Sequence, residues 1–263
     1  MTARALDTRK YSENFSTLWE GGYYEGDPLD PMSRSSYTRL GYMSVLHATY
    51  LRCIKPYVRP DSKVLEIGAG RGAWTRTMLH AKEIAVLEAV DPEHSRFWDY
   101  VGRHDHVRYH KVSDLTCSVL PDDHFDFFFT FGCFCHLPPV AVTEYMGNVF
   151  KKLRSGTNGF MMVADFDKYN NAIKNLEHYA DTRAVHGRRF RPVRWMWQAI
   201  WKTAWPDNLN PIAPKVQDDP NVVSWHHFGA EKAAKMLEGH GFKIVDTDCG
   251  VNHRDPVIHF MKP

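Results

Sequence analysis

The sequence predicts an α/β protein: a parallel sheet with helices on both faces, closed by an antiparallel pair of strands. Three observations predict it. Five runs of strand length, "KVLEI", "IAVLEAV", "VRYHKV", "FDFFFTF" and "GFMMVAD", alternate with helical segments. The most apolar of them lack a polar face, as strands covered on both sides do. Near the end of the chain, "FKIVDTD" and "PVIHFMK" are joined by a short turn region. A parallel crossover takes about a dozen residues or more, so the last strand runs antiparallel. The expected sheet has seven strands, six parallel and the last reversed.

The elements follow in order. Residues 1–34 are polar and aromatic, and Gly21, Gly22, Gly26 and Pro28 break any regular element. From Ser35 to Val58, Leu40, Met43, Leu46, Tyr50, Leu51 and Ile54 recur at helical spacing, and Pro60 and Asp61 end that helix. "KVLEI" is the first strand, and a helix is expected from Ala73 to His80. The second strand, "IAVLEAV", is expected to end at Asp91, with a helix from Glu93 to Val101. After the third and fourth strands, Val142, Met146, Val149, Phe150 and Leu153 place one apolar stripe on a helix that leads into the fifth. Beyond Asp167 the pattern breaks. Residues 168–222 hold no clean strand and concentrate tryptophan and arginine. "GAEKAAKMLEGHGF" is then a helix closed by glycine. The expected organisation is an N-terminal lid and helix (1–60), a core (61–167 and 223–263) and an inserted cap (168–222).

Composition narrows the function classes. The 263 residues suffice for one sizeable core with a small cap. A formal net charge of +2 creates no global field to recruit nucleic acid or anionic membrane. No apolar run approaches the roughly 18 residues that span a bilayer. The first residues lack the apolar core of a secretory signal. The five cysteines are scattered and odd in number, against a disulfide framework, and Cys133 and Cys135 are too isolated for a zinc site. A cytoplasmic protein with reduced thiols is expected, and a homodimer is left open.

The chemistry centres on "VLEIGAGRGAW", an apolar strand running into a glycine-rich turn and then a helix. Such a turn lets a ligand approach the backbone, and alone it fits NAD, FAD, a nucleotide or S-adenosylmethionine. Glu66 at the strand end suits the amine of a methionine moiety, directly or through water, and suits a pyrophosphate poorly. Asp91 can take two ribose hydroxyls, a feature shared with dinucleotide proteins. The closing antiparallel pair is foreign to the usual dinucleotide fold.

"VLEIGAGRGAW", "AVDPEHS", "VSDL", "FDFFFTFGCFCHL" and "LRSGTNGFMMVADFD", in this order, resemble the successive motifs of the class I S-adenosylmethionine-dependent methyltransferases, which have a Rossmann-like fold. The resemblance covers roughly Ser62 to Asp167 and the last 35 residues. It implies that Glu66, Gly68 and Gly70 hold the methionine part. It also implies that Asp91 binds the ribose, that Ser113 and Asp114 sit at the adenine edge, and that Phe131 and Gly132 line the sulfonium. Bare alternatives are a turn residue for Asp114 and a helix cap for Asp91.

Methyl transfer to a hydroxyl requires the acceptor to lose a proton, so a general base is wanted at the carboxyl ends of the strands. His136 and Asp165 stand there, and a carboxylate beside a histidine orients its ring. Some bacterial O-methyltransferases acting on sugars and glycosides carry a His and an Asp at these motif positions, and the sequence resembles them there. Alternatively, His136 caps the next helix, or Asp165 and Asp167 hold Mg²⁺. In the insertion, Arg188 and Arg191 offer forks for carboxylate, phosphate or sugar hydroxyls, and Trp195 a stacking face. His227 could face the same pocket. Tyr23 and Tyr24, with Trp19 and Tyr37, are candidate lid residues. The leading expectation is an O-methyltransferase acting on a sugar, glycan or other hydroxylated small molecule. An RNA or protein methyltransferase rests only on the arginine-rich insertion, and nucleic acid is not the expected partner. A non-catalytic S-adenosylmethionine-binding protein is the third reading and an NAD oxidoreductase a distant fourth.

Overall fold

The structure, a computed structural model, describes residues 12–13, 15–16, 26–33, 44–172 and 225–263. Helix α1 (Val45–Thr49) runs into a π-helical turn (Tyr50–Ile54). Then follow β1 (Lys63–Ile67), α2 (Ala73–Thr77), β2 (Glu83–Glu88), α3 (Phe97–Val101), β3 (Val107–Lys111) and β4 (Phe125–Thr130). A 3₁₀ turn (Phe134–His136) leads to α4 (Pro139–Lys152) and β5 (Leu153–Met162), and residues 166–172 are helical. The chain returns with α5 (Ala230–Gly239), β6 (Lys243–Asp246) and β7 (Val257–Met261).

The seven strands form one sheet in the order β3-β2-β1-β4-β5-β7-β6. The pairs β1–β2, β2–β3, β1–β4 and β4–β5 are parallel, and β7 lies antiparallel between β5 and β6. This is the expected architecture, six strands in one direction and the last reversed. The apolar runs explain it. Along β1 and β4, Leu65, Ile67, Phe125 and Phe128 join one core, while Val64, Phe127 and Phe129 join the core on the opposite face. A strand with two covered faces leaves no polar side to read, hence the continuous apolar stretches.

Several boundaries differ from the sequence expectation. Helix α2 stops at Thr77. Strand β2 stops at Glu88, three residues before Asp91, and α3 begins only at Phe97 because Arg96 takes a left-handed conformation, φ 58°. Strand β5 begins at Leu153, directly after α4, so helix and strand are joined without a loop. All five cysteines are free thiols. Among the described residues no helix is long and apolar enough to cross a membrane.

The strand order reverses between β1 and β4, and ligands of open α/β sheets bind at such a point, outside the carboxyl ends of the strands. The glycine turn after β1, the ends of β2 and β3, and the segments after β4 and β5 therefore converge on one edge of the sheet.

Candidate active site

The turn after β1 passes through three left-handed glycines, Gly68, Gly70 and Gly72, at φ 73°, 55° and 89°. At Gly68 the requirement is also steric: an added Cβ would lie 2.2 Å from Cβ of Cys133 and 2.4 Å from its Sγ. The turn after β4 thus packs directly against the turn after β1. Burial holds the Cys133 thiol well above its ordinary range, and Cys135 is pushed up to about 12 for the same reason.

Glu66 is 1% exposed, and its Oε2 accepts a 2.6 Å hydrogen bond from Thr75 Oγ1 on α2. The carboxylate ties the strand end to the helix start. The sequence reasoning missed a second acid. Glu88, last in β2, accepts from Gly70 N–H at 2.9 Å through Oε2. Its Oε1 accepts from Ala89 N–H at 2.8 Å and Val90 N–H at 3.4 Å. Burial raises its carboxyl above the ordinary range, and those three N–H groups oppose the shift. The available signal was an acid directly after the apolar run Ile84–Leu87, with Leu87 level with Ile67.

Asp91 is placed differently. Its Oδ1 accepts from Glu93 N–H at 3.0 Å and its Oδ2 meets Lys111 Nζ at 3.3 Å. The Glu93 N–H, with Lys111 assisting, holds its carboxyl below the ordinary range. It shapes the turn after β2, and its carboxylate is not on the glycine loop. Asp114 folds into a similar turn, its Oδ1 accepting from Thr116 N–H at 2.8 Å and Thr116 Oγ1 at 2.7 Å. Ser113 and Asp114 are both exposed at the end of β3. Phe131 stacks over Phe129 and meets the buried Trp74 at 4.8 Å, forming an aromatic wall. Gly132, φ 75°, has none of the described residues within 4 Å of an added Cβ.

His136 ends the 3₁₀ turn, its N–H donating to Cys133 C=O at 2.9 Å and its ring lying edge-on to Phe15 at 5.2 Å. The next helix has Pro138 as its N-cap. Asp165 does not orient it. Its Oδ1 accepts from Asp167 N–H and Lys168 N–H, both at 3.0 Å, and its Oδ2 from Ala230 N–H at 3.1 Å. One carboxylate caps the starts of two helical segments, where the exposed amides and helix dipoles favour a negative charge. The expected His136–Asp165 pair is therefore not formed.

The magnesium alternative also lacks support: Asp165 is taken by backbone amides, Asp167 is exposed, and no group of three or more metal-ligating side chains occurs among the described residues. His227 Nδ1 accepts from Phe166 N–H at 3.1 Å, and its ring packs on Phe166 at 5.2 Å. Its neighbours Phe228 N–H and Gly229 N–H both donate to Ala164 C=O, at 3.0 and 3.1 Å. The segment re-entering at Trp225 is thus strapped to the end of β5. Residues 26–33 are fastened to α2 by Asp27 and Arg76, 3.3 Å apart, and to α1 by His47 Nδ1 on Pro28 C=O at 2.8 Å. The expected substrate residues Tyr23, Tyr24, Arg188, Arg191 and Trp195, and the lid residues Trp19 and Tyr37, lie outside the described residues.

Comparison with known proteins agrees with this geometry. No curated protein sequence matches the chain. Several solved structures are similar to it. The 1,6-didemethyltoxoflavin N1-methyltransferase of Burkholderia thailandensis, solved with its acceptor and S-adenosylhomocysteine, has a TM-score of 0.55 at 14% identity over 100% of this chain and 93% of its own. The DhpI–SAM–HEP complex has a TM-score of 0.56 at 15% identity over 100% of both chains. An S-adenosylmethionine-dependent methyltransferase of Mesorhizobium loti has a TM-score of 0.51 at 16% identity over 81% of this chain and 97% of its own. At such identities the likeness is one of fold. A model of the methyltransferase domain matches residues 41–247, the greater part of the chain. With its sheet order, reversed last strand and glycine turn, the chain belongs to the methyltransferase-domain family and has the fold of the S-adenosylmethionine-dependent enzymes.

Proposed function

We propose that the chain transfers the methyl group of S-adenosylmethionine to a hydroxyl of a sugar, oligosaccharide or related small molecule. The observation that carries the S-adenosylmethionine site is the carboxylate of Glu88, which accepts from Gly70 N–H in the turn after the neighbouring strand β1. A buried acid at the end of β2, beside a turn that only glycine can make, suits the two hydroxyls of an adenosine ribose. Glu88 therefore takes the ribose role that the family resemblance implied for Asp91. Gly68, Gly70 and Glu66 border the methionine part, Gly68 by letting the turn pack closely on Cys133 and Glu66 by tying the strand end to α2. Phe131 and Gly132 border the sulfonium, and Ser113 and Asp114 the adenine edge.

When bound, S-adenosylmethionine supplies an already activated methyl group, so the chain's task is alignment and proton removal. His136, in the segment that follows Gly132, accepts the hydroxyl proton as the acceptor oxygen forms its bond to the methyl carbon and the carbon–sulfur bond breaks. S-adenosylhomocysteine and the methyl ether result. The N-terminal segment acts as the lid and the segment 168–222 as the acceptor cap. Titration calorimetry with S-adenosylhomocysteine and with NAD⁺ tests the site, and release of S-adenosylhomocysteine in the presence of hydroxylated sugars tests the reaction. Binding of NAD⁺ without S-adenosylhomocysteine would overturn the first. The toxoflavin enzyme is named for transfer to a nitrogen, and turnover confined to amine acceptors here would replace O-methylation by N-methylation.

A further inference from the structure

Arg254 stands in the turn between β6 and β7, at the edge of the sheet where β5 ends. Its setting is unusually complete. The guanidinium lies over the ring of Trp225, 3.7 Å from Cζ to the ring centroid. Its Nε donates to Asp255 Oδ2 at 2.7 Å, and its backbone N–H donates to Asn252 Oδ1 at 3.0 Å. Asn252 is itself buried, with Nδ2 on Met162 Sδ. Trp225 is held in turn by Phe166 and Tyr169, at ring separations of 6.2 and 6.0 Å, and the next residue, His226, donates its N–H at 2.9 Å to the carbonyl of Cys135, the chain neighbour of His136. The arginine thus belongs to a packed assembly joining the ends of β4 and β5 to the β6–β7 turn.

The two partners of the ion pair are unequally placed. The Asp255 side chain is 1% exposed, whereas that of Arg254 is 49% exposed. The pair buries its negative end and presents its positive end. Lys168 and Asp248, paired nearby, balance one another. One face of the guanidinium is covered by Trp225 and the Nε edge by Asp255. What remains is the edge formed by the two terminal nitrogens, which bond to none of the described residues. An arginine whose plane is fixed by stacking and whose Nε is already bonded loses little freedom on binding a ligand. Its free edge is a planar fork of donors matched to the two oxygens of a carboxylate or phosphate.

We propose that Arg254 is an acceptor-binding residue and that the acceptor is a hydroxylated molecule carrying an oxyanion, a carboxylate or a phosphate, which docks on its terminal nitrogens beside Trp225. This deepens the reading of the chain as an O-methyltransferase and rests on it for the acceptor hydroxyl. Because Tyr169 and Trp225 flank the two ends of the insertion, the fork lies at the root of the acceptor cap. It would fix the charged group while His136 meets the hydroxyl.

The test compares three hexoses, glucose, glucuronate and glucose 6-phosphate, binding to the protein saturated with S-adenosylhomocysteine at constant ionic strength. One or both charged sugars should bind at least about tenfold more tightly than glucose, and the one that does identifies the oxyanion. Arg254→Gln should erase the preference while leaving the S-adenosylhomocysteine affinity intact. Since Arg254→Gln strands a buried carboxylate, the double variant Arg254→Gln/Asp255→Asn repeats the measurement with both charges removed. Equal binding of charged and neutral sugars by the parent, or a preference that survives in both variants, overturns the proposal and leaves the methyltransferase reading standing. Failure of S-adenosylhomocysteine to bind overturns that reading instead. The sugar comparison on the unliganded protein then decides the oxyanion site by the same criteria.

Discussion

Replacing Glu88 by glutamine tests the cofactor site at its least obvious point. In the parent, both carboxylate oxygens accept from backbone N–H groups, those of Gly70, Ala89 and Val90. A glutamine carbonyl can serve one side only, and its NH₂ must face an N–H on the other. The loss of a hydrogen bond to a charged group costs about 1.5–3 kcal/mol. Relief of the buried charge offsets part of this in the free protein, since burial is what raises the Glu88 carboxyl. Nothing offsets it for the ligand, because two ribose hydroxyls then compete for one neutral acceptor. Glu88→Gln should weaken S-adenosylhomocysteine by about 1.5–3 kcal/mol, roughly 10- to 150-fold in Kd. Asp91→Ala removes only a partly exposed ion pair and a turn bond, and should change Kd by about threefold or less, within the range of surface pairs. Isothermal calorimetry on both variants reads the contrast. The pH dependence has a definite sign. A carboxyl raised on folding holds its proton more tightly in the native state, so stability falls as pH climbs from the ordinary carboxylate range through the raised value. Ligand affinity should rise over the same window as Glu88 ionises, and Glu88→Gln should lose both trends. If Asp91→Ala carries the whole loss and Glu88→Gln binds like the parent, the ribose sits on Asp91 and the reasoning fails.

The other predictions concern the turns around this site. Gly68→Ala forces a side chain at φ 73° into Cys133; left-handed strain alone costs about 1–2 kcal/mol, so the melting temperature should fall by more than about 4 °C, and an unchanged melt would show that the turn has another conformation. Asp165→Asn should destabilise the fold by about 1–2 kcal/mol in denaturant titration, as lost helix caps do, because its carboxylate serves three backbone amides; a kinetic defect at unchanged stability would restore it as a partner of His136. His136→Ala should lower kcat by about 10²–10⁴-fold with the S-adenosylhomocysteine Kd unchanged, and near-parental turnover would remove the histidine from the reaction. Chelation by EDTA should leave the rate unaltered, and a loss restored by added magnesium would contradict the reading of Asp165.

The sheet was legible because strands covered on both faces are written in one alphabet: Phe125, Phe127, Phe128 and Phe129 could hardly be anything but buried. The glycine turn was legible because a chain that must turn left-handed three times in five residues uses glycine. The acid proposed for the ribose was not. "VDP" looks like a strand running to Asp91, but the strand ends where the Glu88 carboxylate bends back onto Gly70, Ala89 and Val90. That competition between ladder and side chain has no periodic signature. Asp165 misled for a related reason. Proximity to His136 at the strand ends suggested a catalytic pair, whereas the amides of two helix starts were better placed to claim it. Cys133 beneath Gly68, and Arg254 on Trp225, join residues 65 and 29 positions apart in sequence, and no local pattern announces such contacts.

The strap at the end of β5 has an evolutionary consequence. The insertion leaves the sheet just after Ala164 and Asp165, and the chain that returns from it is bonded to the same two residues, through Phe228, Gly229 and Ala230. Its two ends are therefore welded together independently of what lies between. Lengthening a loop whose ends are already fixed costs little, about 0.6 kcal/mol for each doubling. Residues 173–224 can accordingly behave as an interchangeable cassette, replaced or rewritten by descent while the glycine turn and Glu88 keep their geometry. Diversification of what is methylated would then leave the methyl-donor half of the molecule untouched, and chimaeras exchanging this cassette between family members should keep their affinity for S-adenosylhomocysteine.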